Sequence, residues 1–214
     1  MTIRVLIADD HKVVADGLCH LLGAQRGIEV VDVVRSGREA VQRTVDLRPQ
    51  VVLMDSSMPD LNGIEATRII RERVPECRVL MLSVHSNSLH VVRALRAGAA
   101  GYVPKSSAGS DVVEAIHVVH SGKRYLHPTI AEGVLEKLVE SETLEDPIAR
   151  LSSRERQVLQ LIAEGRGGGD IGLALSISPR TVETYRARLM EKLDIRDVPG
   201  LTKFAILHGL TTLE

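Results

Sequence analysis

Five polar residues in the first half of the chain stand at the ends of apolar, strand-like segments. Asp9 and Asp10 follow "RVLIA", Asp55 ends "VVLMD", Ser83 ends "RVLMLS" and Lys105 follows "GYVP". Three clustered carboxylates repel one another and need a cation, and an oxygen-rich site of this kind suits Mg²⁺. Lys105 adds a positive charge and Ser83 a hydroxyl donor. The set therefore predicts an anion-receiving site built around a nucleophilic carboxylate.

These residues meet only if the segments that carry them form one parallel sheet. Short β-type runs at 4–8, 28–34, 51–55, 78–83 and 101–104 alternate with helical patterns at 12–22, 37–47, 63–73, 88–97 and 107–121. Several runs are continuously apolar, as in strands covered by helices on both faces. We predict an α/β doubly wound domain with a five-stranded parallel sheet, whose ligands bind outside the carboxyl ends of the strands. A single aspartate there would be an ordinary turn residue, but the ordered set favours a site.

The composition is that of a globular protein of one large or two small domains, with 214 residues and a formal net charge of −1. Two cysteines outside any metal-binding spacing are expected to be reduced thiols. The apolar runs are shorter than a membrane span, and the N-terminus lacks a signal-peptide pattern. We therefore expect a cytoplasmic protein without membrane association.

The last third of the chain reads as helical throughout. A helical stretch at 128–140 leads into the acidic, proline-containing segment "ESETLEDPIAR" at 140–150, which predicts a linker. Ser152 and Glu155 form a capping-box pattern, and Ser178 followed by Pro179 begins another helix. The predicted domains are 1–122, a linker with a helix at 123–149, and a small all-α domain at 150–214, whose last helix covers 199–210.

The first domain closely resembles the receiver domain of bacterial two-component response regulators, which has a flavodoxin-like fold. The motifs "LIADDH", "MDSSMPDLNG", "MLSVHS" and "GYVPKS" carry this resemblance in order and spacing over residues 3–121. It implies that Asp55 accepts a phosphoryl group from the phosphohistidine of a sensor histidine kinase. It also implies Mg²⁺ ligands at Asp9, Asp10, Asp55 and the backbone carbonyl of Ser57, phosphoryl contacts at Ser83 and Lys105, and an aromatic switch at Tyr102.

The second domain resembles the NarL/FixJ or LuxR-type helix-turn-helix. "LSSRERQVLQLIAEG" and "ISPRTVETYRARLMEKLDI" carry the match, which runs from about 150 to 210. It implies double-stranded promoter DNA as a partner, with one face of the third helix in the major groove. By position in the family, Glu183, Thr184 and Ala187 approach base edges of the DNA. The DNA backbone lies near Thr181, Tyr185 and Arg186. The exposed face of the helix also carries Arg180 and Arg188.

A homodimer on activation is also expected, since one recognition helix covers few base pairs. Leu201, Phe204 and Ala205, at helical spacing in the last helix, are the predicted contact between protomers. The alternative is that these three residues only close the core of the small domain.

Three consecutive glycines, Gly167–Gly169, interrupt the helix-turn-helix pattern. A phosphate-binding loop is disfavoured, because a helical run precedes them and no Lys-Ser/Thr pair follows. Relatives commonly carry Ser/Thr-Asn-Lys/Arg there, so a helix cap and a phosphate contact are missing. Gly172 stands where the family usually has Ala, which predicts a further loss of helix stability.

The leading hypothesis is a DNA-binding transcriptional regulator that phosphorylation activates, and not an enzyme beyond its own phosphorylation and dephosphorylation. A phosphohydrolase acting through an aspartyl phosphate is disfavoured, because Ser57 stands where that class needs a second carboxylate. The remaining alternative is an orphan receiver-type regulator that a ligand or partner controls without phosphotransfer, with weakened DNA binding.

Overall fold

The computed structural model describes residues 2–84, 87–131, 133–134 and 146–211. By the density of its internal contacts, the chain divides into two compact units. The first comprises residues 1–58 and 63–142, and the second comprises residues 59–62 and 143–214.

The first unit alternates strands and helices in the predicted order. Its strands are β1 (Ile3–Ala8), β2 (Ile28–Val34), β3 (Val51–Asp55), β4 (Arg78–Ser83), β5 (Gly101–Pro104) and β6 (Tyr125–Leu126). Its helices are α1 (Lys12–Gly23), α2 (Gly37–Leu47), α3 (Gly63–Arg73), α4 (Ser88–Arg96) and α5 (Gly109–His120). Residues 128–131, 133 and 134 are also helical, whereas the rest of the helix predicted at 128–140 lies outside the described residues.

All strand pairs are parallel, and the sheet order is β2-β1-β3-β4-β5-β6. The doubly wound fold is confirmed, and the sheet has one strand more than the predicted five. β6 has two residues, too few for any hydrophobic period, and it exists because Tyr125 and Leu126 pair with Gly101 and Tyr102 of β5. The strand order reverses direction between β1 and β3, and ligand crevices form at such a point in α/β sheets.

The core of this unit is aliphatic, as the low aromatic content requires. Every residue of β3 is buried, and the cluster around it draws on β1, β4, β5, α1 and α5. Cys19 and Cys77 are both free thiols, and burial raises the pKa of Cys77 to about 12. Within the described part of the chain, no helix combines the length and apolarity needed to cross a lipid bilayer.

The second unit is helical. After a 3₁₀ turn at Pro147–Arg150, its helices are α6 (Ser153–Ala163), α7 (Gly168–Leu175), α8 (Pro179–Leu193) and α9 (Val198–Leu207). The predicted capping box is confirmed: Ser152 Oγ accepts from the Glu155 backbone N–H, and Glu155 Oε2 accepts from the Ser152 N–H. Ser178 caps α8 with its hydroxyl alone, which accepts from the Thr181 backbone N–H at 3.1 Å. Of the segment at 140–150 predicted as a linker, residues 140–145 lie outside the described residues.

The core of the second unit joins α6 to α8. Val182 and Leu189 are fully buried and Leu193 is partly buried, in one cluster with Val158, Leu161 and Ile162 as predicted. The prediction for α9 is wrong. Leu201 and Ala205 are fully buried in the same cluster, and Phe204 packs against it. These three residues close the domain's own core, which is the alternative stated from the sequence.

Candidate functional site

The strand ends bring the predicted acidic residues into one pocket. Asp9 and Asp10 directly follow β1, Asp55 is the last residue of β3, and β1 and β3 are neighbours. The Lys105 backbone N–H donates to the Ser83 carbonyl at 2.8 Å, which holds the residue after β5 beside the end of β4. Asp9 and Asp55 are only 1% and 2% exposed, so the surrounding water screens their charges little.

Lys105 is the counter-charge of this pocket. Its Nζ lies 2.8 Å from Asp9 Oδ2 and 2.9 Å from Asp55 Oδ2. Burial lowers the pKa of Lys105, but the two carboxylates outweigh that effect and the pKa is raised overall. Burial raises the pKa of Asp55 to about 6, against the opposing pull of Lys105. One ammonium group therefore does not compensate for burying this carboxylate beside another.

The acidic cluster can hold a cation. Ligand atoms of Asp9, Asp10, His11 and Asp55 all lie within 4.8 Å of one another. The buried oxygens Asp9 Oδ2, Asp10 Oδ1 and Asp55 Oδ2 accept no hydrogen bond of good geometry and depend on ion pairs with Lys105 and His11. Oxygens in this condition fit a hard divalent cation such as Mg²⁺. Two residues beyond Asp55, the Ser57 N–H donates to Asp55 Oδ1 at 3.4 Å.

Ser83 and Tyr102 lie in the core beside the pocket. Both are buried, and Ser83 Oγ is 2.7 Å from Ser56 Oγ. Burial raises the pKa of Tyr102 to about 12, an effect that a hydrogen bond with Ser83 opposes. Tyr102, Ser83 and Ser56 thus form a chain of buried hydroxyl groups.

Two residues of the pocket were not singled out from the sequence. Ser56 is buried beside Ser83, and the signal that could have found it is its place directly after Asp55. His11 directly follows the Asp9–Asp10 pair, and its Nδ1 lies 2.9 Å from Asp10 Oδ1. Neither contact follows from the local pattern, because a buried hydroxyl or an imidazole after an aspartate is equally compatible with a turn.

The outward face of α8 carries the residues predicted to meet DNA. Arg180, Glu183, Thr184, Ala187 and Arg188 are exposed at helical spacing on one face. The Thr184 hydroxyl donates to the Arg180 carbonyl at 3.1 Å, and Arg186 pairs with Glu183 at 3.2 Å.

Thr181, Tyr185 and Arg186 are half-buried at the margins of that face, and Tyr185 packs against the core cluster. The structure therefore exposes five of the eight predicted residues to solvent and places the other three at the edges of the face.

The three glycines begin α7. Gly167 occupies the N-cap position without a side-chain cap, and the element before it is helix α6, so the strand–loop–helix order of a phosphate-binding loop is absent from residues 153–175. The expectation for Gly172 is wrong. A Cβ at Gly172 would lie 2.7 Å from the Ile177 carbonyl oxygen, and Ile177 N–H donates to the Gly172 carbonyl. Glycine is needed there for close packing of the turn.

Comparisons with known proteins match both units. Residues 5–117 match the response regulator receiver domain family, and residues 149–205 match the bacterial regulatory proteins of the luxR family. Response regulator UvrY of Escherichia coli strain K12 is 40% identical over 212 residues, which span 99% of this chain and 97% of UvrY.

Solved structures of RcsB are similar over nearly the whole chain. Salmonella typhimurium RcsB matches with a TM-score of 0.65 and 26% identity, over 95% of this chain and 96% of that one. A structure of two RcsB dimers bound to two parallel DNAs matches with a TM-score of 0.61 and 25% identity, over 99% of this chain and 100% of that one.

Proposed function

Because the chain belongs to the two-component response regulators that join a receiver domain to a LuxR-type DNA-binding domain, we propose that phosphorylation of Asp55 controls its binding to promoter DNA. The phosphoryl group comes from the phosphohistidine of a sensor histidine kinase. One observation carries this proposal: Asp55 is buried beside Asp9 with Lys105 Nζ 2.9 Å away. The domain boundaries remain those proposed from the sequence, with residues 1–122 as receiver, 123–149 as linker and 150–214 as DNA-binding domain.

The phosphotransfer step is a displacement at phosphorus. An Asp55 carboxylate oxygen forms the new P–O bond, the P–N bond to the kinase imidazole breaks, and the imidazole leaves with that electron pair. The Lys105 ammonium then faces phosphoryl oxygens in place of part of the carboxylate charge. Burial favours the reaction, because the pocket excludes bulk water from the acyl phosphate that forms.

The proposed metal ligands are Asp9, Asp10, Asp55 and the backbone carbonyl of Ser57. A bound Mg²⁺ supplies positive charge that offsets the carboxylates and the incoming phosphoryl oxygens. The same pocket could support phosphorylation by a small phosphodonor and later hydrolysis, so that the receiver catalyses both steps on itself.

Ser83 and Tyr102 are the proposed switch. The Ser83 hydroxyl carries one proton. When that proton is donated to a phosphoryl oxygen, Ser83 can only accept from Ser56 and Tyr102, so a bond that it had donated to either hydroxyl must be exchanged for one that it accepts. This rearrangement inside a packed core transmits the modification, because packed groups change between discrete arrangements rather than deforming continuously.

Promoter DNA is the proposed partner of α8. Glu183, Thr184 and Ala187 would approach base edges in the major groove, while Arg180 and Arg188 would lie near phosphates. Thr181, Tyr185 and Arg186 flank the same face. Since bacterial DNA is cytoplasmic, the protein is proposed to act in the cytoplasm.

The proposed homodimer uses the outward face of α9. Val198, Ile206 and Leu207 line a groove of about 420 Å³ on this helix, and Leu207 is 72% exposed. The proposed occupant is the same face of a second copy of this chain, since RcsB binds DNA as dimers and a two-fold pair presents two recognition helices one turn apart.

The test is phosphorylation by a small acyl phosphate with Mg²⁺, followed by intact mass measurement. The parent protein should gain one phosphoryl group and Asp55→Asn should gain none. Asp46→Asn, at an exposed carboxylate of α2, is the matched control and should be labelled like the parent. Full labelling of Asp55→Asn would overturn the assignment. An unlabelled parent protein that still binds DNA would favour control by a ligand or partner without phosphotransfer.

A further inference from the structure

His11 occupies the N-cap position of α1 without capping it. Its side chain makes no hydrogen bond to the first turn, and histidine is not among the residues that cap helices well. The backbone N–H of His11 donates to Asp9 Oδ1 at 2.9 Å, which turns this residue toward the acidic pocket.

The imidazole instead lies among three carboxylates. His11 Nδ1 is 2.9 Å from Asp10 Oδ1, 3.2 Å from Asp9 Oδ1 and 3.7 Å from Asp55 Oδ2. Ligand atoms from these four residues all lie within 4.8 Å of one another. Around one ion with bonds of about 2.1 Å, opposite ligands are about 4.2 Å apart, so small side-chain movements suffice to surround a cation.

A second observation points to a ligand at the same place. Asp9 Oδ2, Asp10 Oδ1 and Asp55 Oδ2 are buried without a hydrogen bond of good geometry. Asp9 Oδ2 and Asp55 Oδ2 share the one ammonium group of Lys105, and Asp10 Oδ1 faces His11 Nδ1. Asp9 and Asp55 are each more than nine-tenths buried. Oxygens left in this condition gain from direct coordination, because a buried charge is otherwise expensive.

We infer that His11 Nδ1 is an additional ligand of the acidic metal site and that it shifts the site's preference from Mg²⁺ toward Mn²⁺ and Co²⁺. Mg²⁺ prefers oxygen donors and retains its waters, so an imidazole adds little to its binding. Imidazole nitrogen binds later first-row cations more strongly, in the order Mn²⁺ then Co²⁺. The inference rests on the proposed metal site and adds a residue that determines its selectivity.

The experiment measures metal affinity directly. Full-length protein freed of metal is titrated with Mg²⁺, Mn²⁺ and Co²⁺ by calorimetry, at a pH above the ordinary histidine pKa of about 6.5. Co²⁺ binding is also followed by its visible absorption, which changes when a nitrogen ligand joins. The variants are His11→Ala and His11→Gln, and the matched control is His20→Ala, an exposed histidine further along α1.

Both His11 variants should lose Co²⁺ affinity by roughly tenfold or more, a loss typical for even an outer partner of a metal ligand. Their loss of Mn²⁺ affinity should be smaller, and their Mg²⁺ affinity should stay within about twofold of the parent's. The retained Mg²⁺ binding shows that the variant pocket is folded. His20→Ala should behave like the parent protein.

Three outcomes would overturn the inference. An equal loss for all three cations would make His11 a structural residue, and a gain in Mg²⁺ affinity would make its imidazole an internal competitor of the metal. Either result leaves the proposed metal site intact. If the parent protein binds none of the cations, both the inference and the proposed Mg²⁺ site fail.

Discussion

Asp55 lies where two opposing electrostatic effects meet. Burial disfavours its charged form and Lys105 favours it, and the balance leaves the pKa at about 6. Asp9 is equally buried and shares the same ammonium group. The pocket therefore holds more negative charge than its side chains neutralise, which suits a site that receives a divalent cation and a phosphoryl group.

This imbalance predicts that Asp55→Asn stabilises the metal-free protein. The ordinary pKa of the carboxyl is 3.8 and its pKa in the fold is about 6. The folded state therefore binds the proton more tightly, and the free energy of unfolding falls as the pH rises from about 4 to about 6. Above that window the neutral amide should be more stable than the carboxylate by up to about 2–3 kcal/mol.

Urea unfolding with a chelator at pH values from about 4 to 8 measures this difference. The difference in free energy of unfolding between Asp55→Asn and the parent should grow as the pH rises from about 4 to about 6 and stay constant above that. Asp46→Asn, at an exposed site, should show no such gap. A pH-independent difference would contradict the raised pKa of Asp55.

A second prediction at the residue scale concerns the stability contributed by Ser56. Its hydroxyl bonds to Ser83 at 2.7 Å inside the core, so Ser56→Ala removes a partner from a buried group and should destabilise the protein by about 1 kcal/mol. Ser83→Ala should remove the same contact from the other side. A double-mutant cycle by urea unfolding should give a coupling of about 0.5–1.5 kcal/mol, and additive losses would show that the two hydroxyls do not interact.

At the scale of elements, the helices of the second unit differ in how their N-termini are capped. α6 has a full capping box, and its Glu155 also pairs with Lys192 near the end of α8 at 2.8 Å. α7 begins at glycines and has no side-chain cap. The helix nevertheless forms, because Ile171 and Leu175 are buried in the shared core and tertiary packing supplies most helical stability.

The glycines of α7 should therefore respond to substitution in opposite directions. A Cβ at Gly167 meets nothing closer than 3.7 Å, so Gly167→Ser can add a cap and should stabilise by roughly a few tenths of a kcal/mol. Gly169 has open space, and Gly169→Lys should raise the salt slope of DNA binding by about one ion at every sequence. Gly172→Ala should destabilise, because its Cβ meets the Ile177 carbonyl oxygen at 2.7 Å.

Thermal unfolding measures the opposite effects of Gly167→Ser and Gly172→Ala on stability. Salt titrations with operator and random DNA test Gly169→Lys. A higher melting temperature for Gly172→Ala would mean that the turn after α7 relaxes freely. An unchanged salt slope for Gly169→Lys would mean that the start of α7 lies away from phosphate.

At the scale of the whole molecule, the proposed output depends on two copies of the chain binding DNA together. Leu207→Glu changes an exposed side chain of the α9 groove and should leave folding and single half-site binding unchanged. It should weaken binding of the phosphorylated protein to paired half-sites by roughly tenfold or more, since a charge would be buried in an apolar contact.

Gel-shift titrations on one and two half-sites, with sedimentation of the complexes, measure this effect. Leu173→Glu, at a leucine 82% exposed on α7, is the control for the added charge. If Leu207→Glu binds paired half-sites as tightly as Leu173→Glu does, the dimer forms through another surface.

Local and periodic features of this protein could be predicted from its sequence. The five main strands, the capping box at Ser152 and the placement of Asp9, Asp55 and Lys105 at strand ends follow from residue order and hydrophobic period. A parallel sheet brings its carboxyl ends to one edge, so residue order alone implied a shared pocket.

The tertiary structure decided the features that depend on contacts between distant residues. The hydrogen bond between Ser56 and Ser83 links the residue after β3 to the end of β4, and the approach of Ile177 to Gly172 depends on how a turn folds back. The burial of Leu201 depends on which face of α9 meets α6, and β6 exists only because β5 offers it an edge. Helical spacing marks an apolar stripe but does not say whether the domain's own core or a second copy covers it, because both contacts gain the same burial of apolar surface.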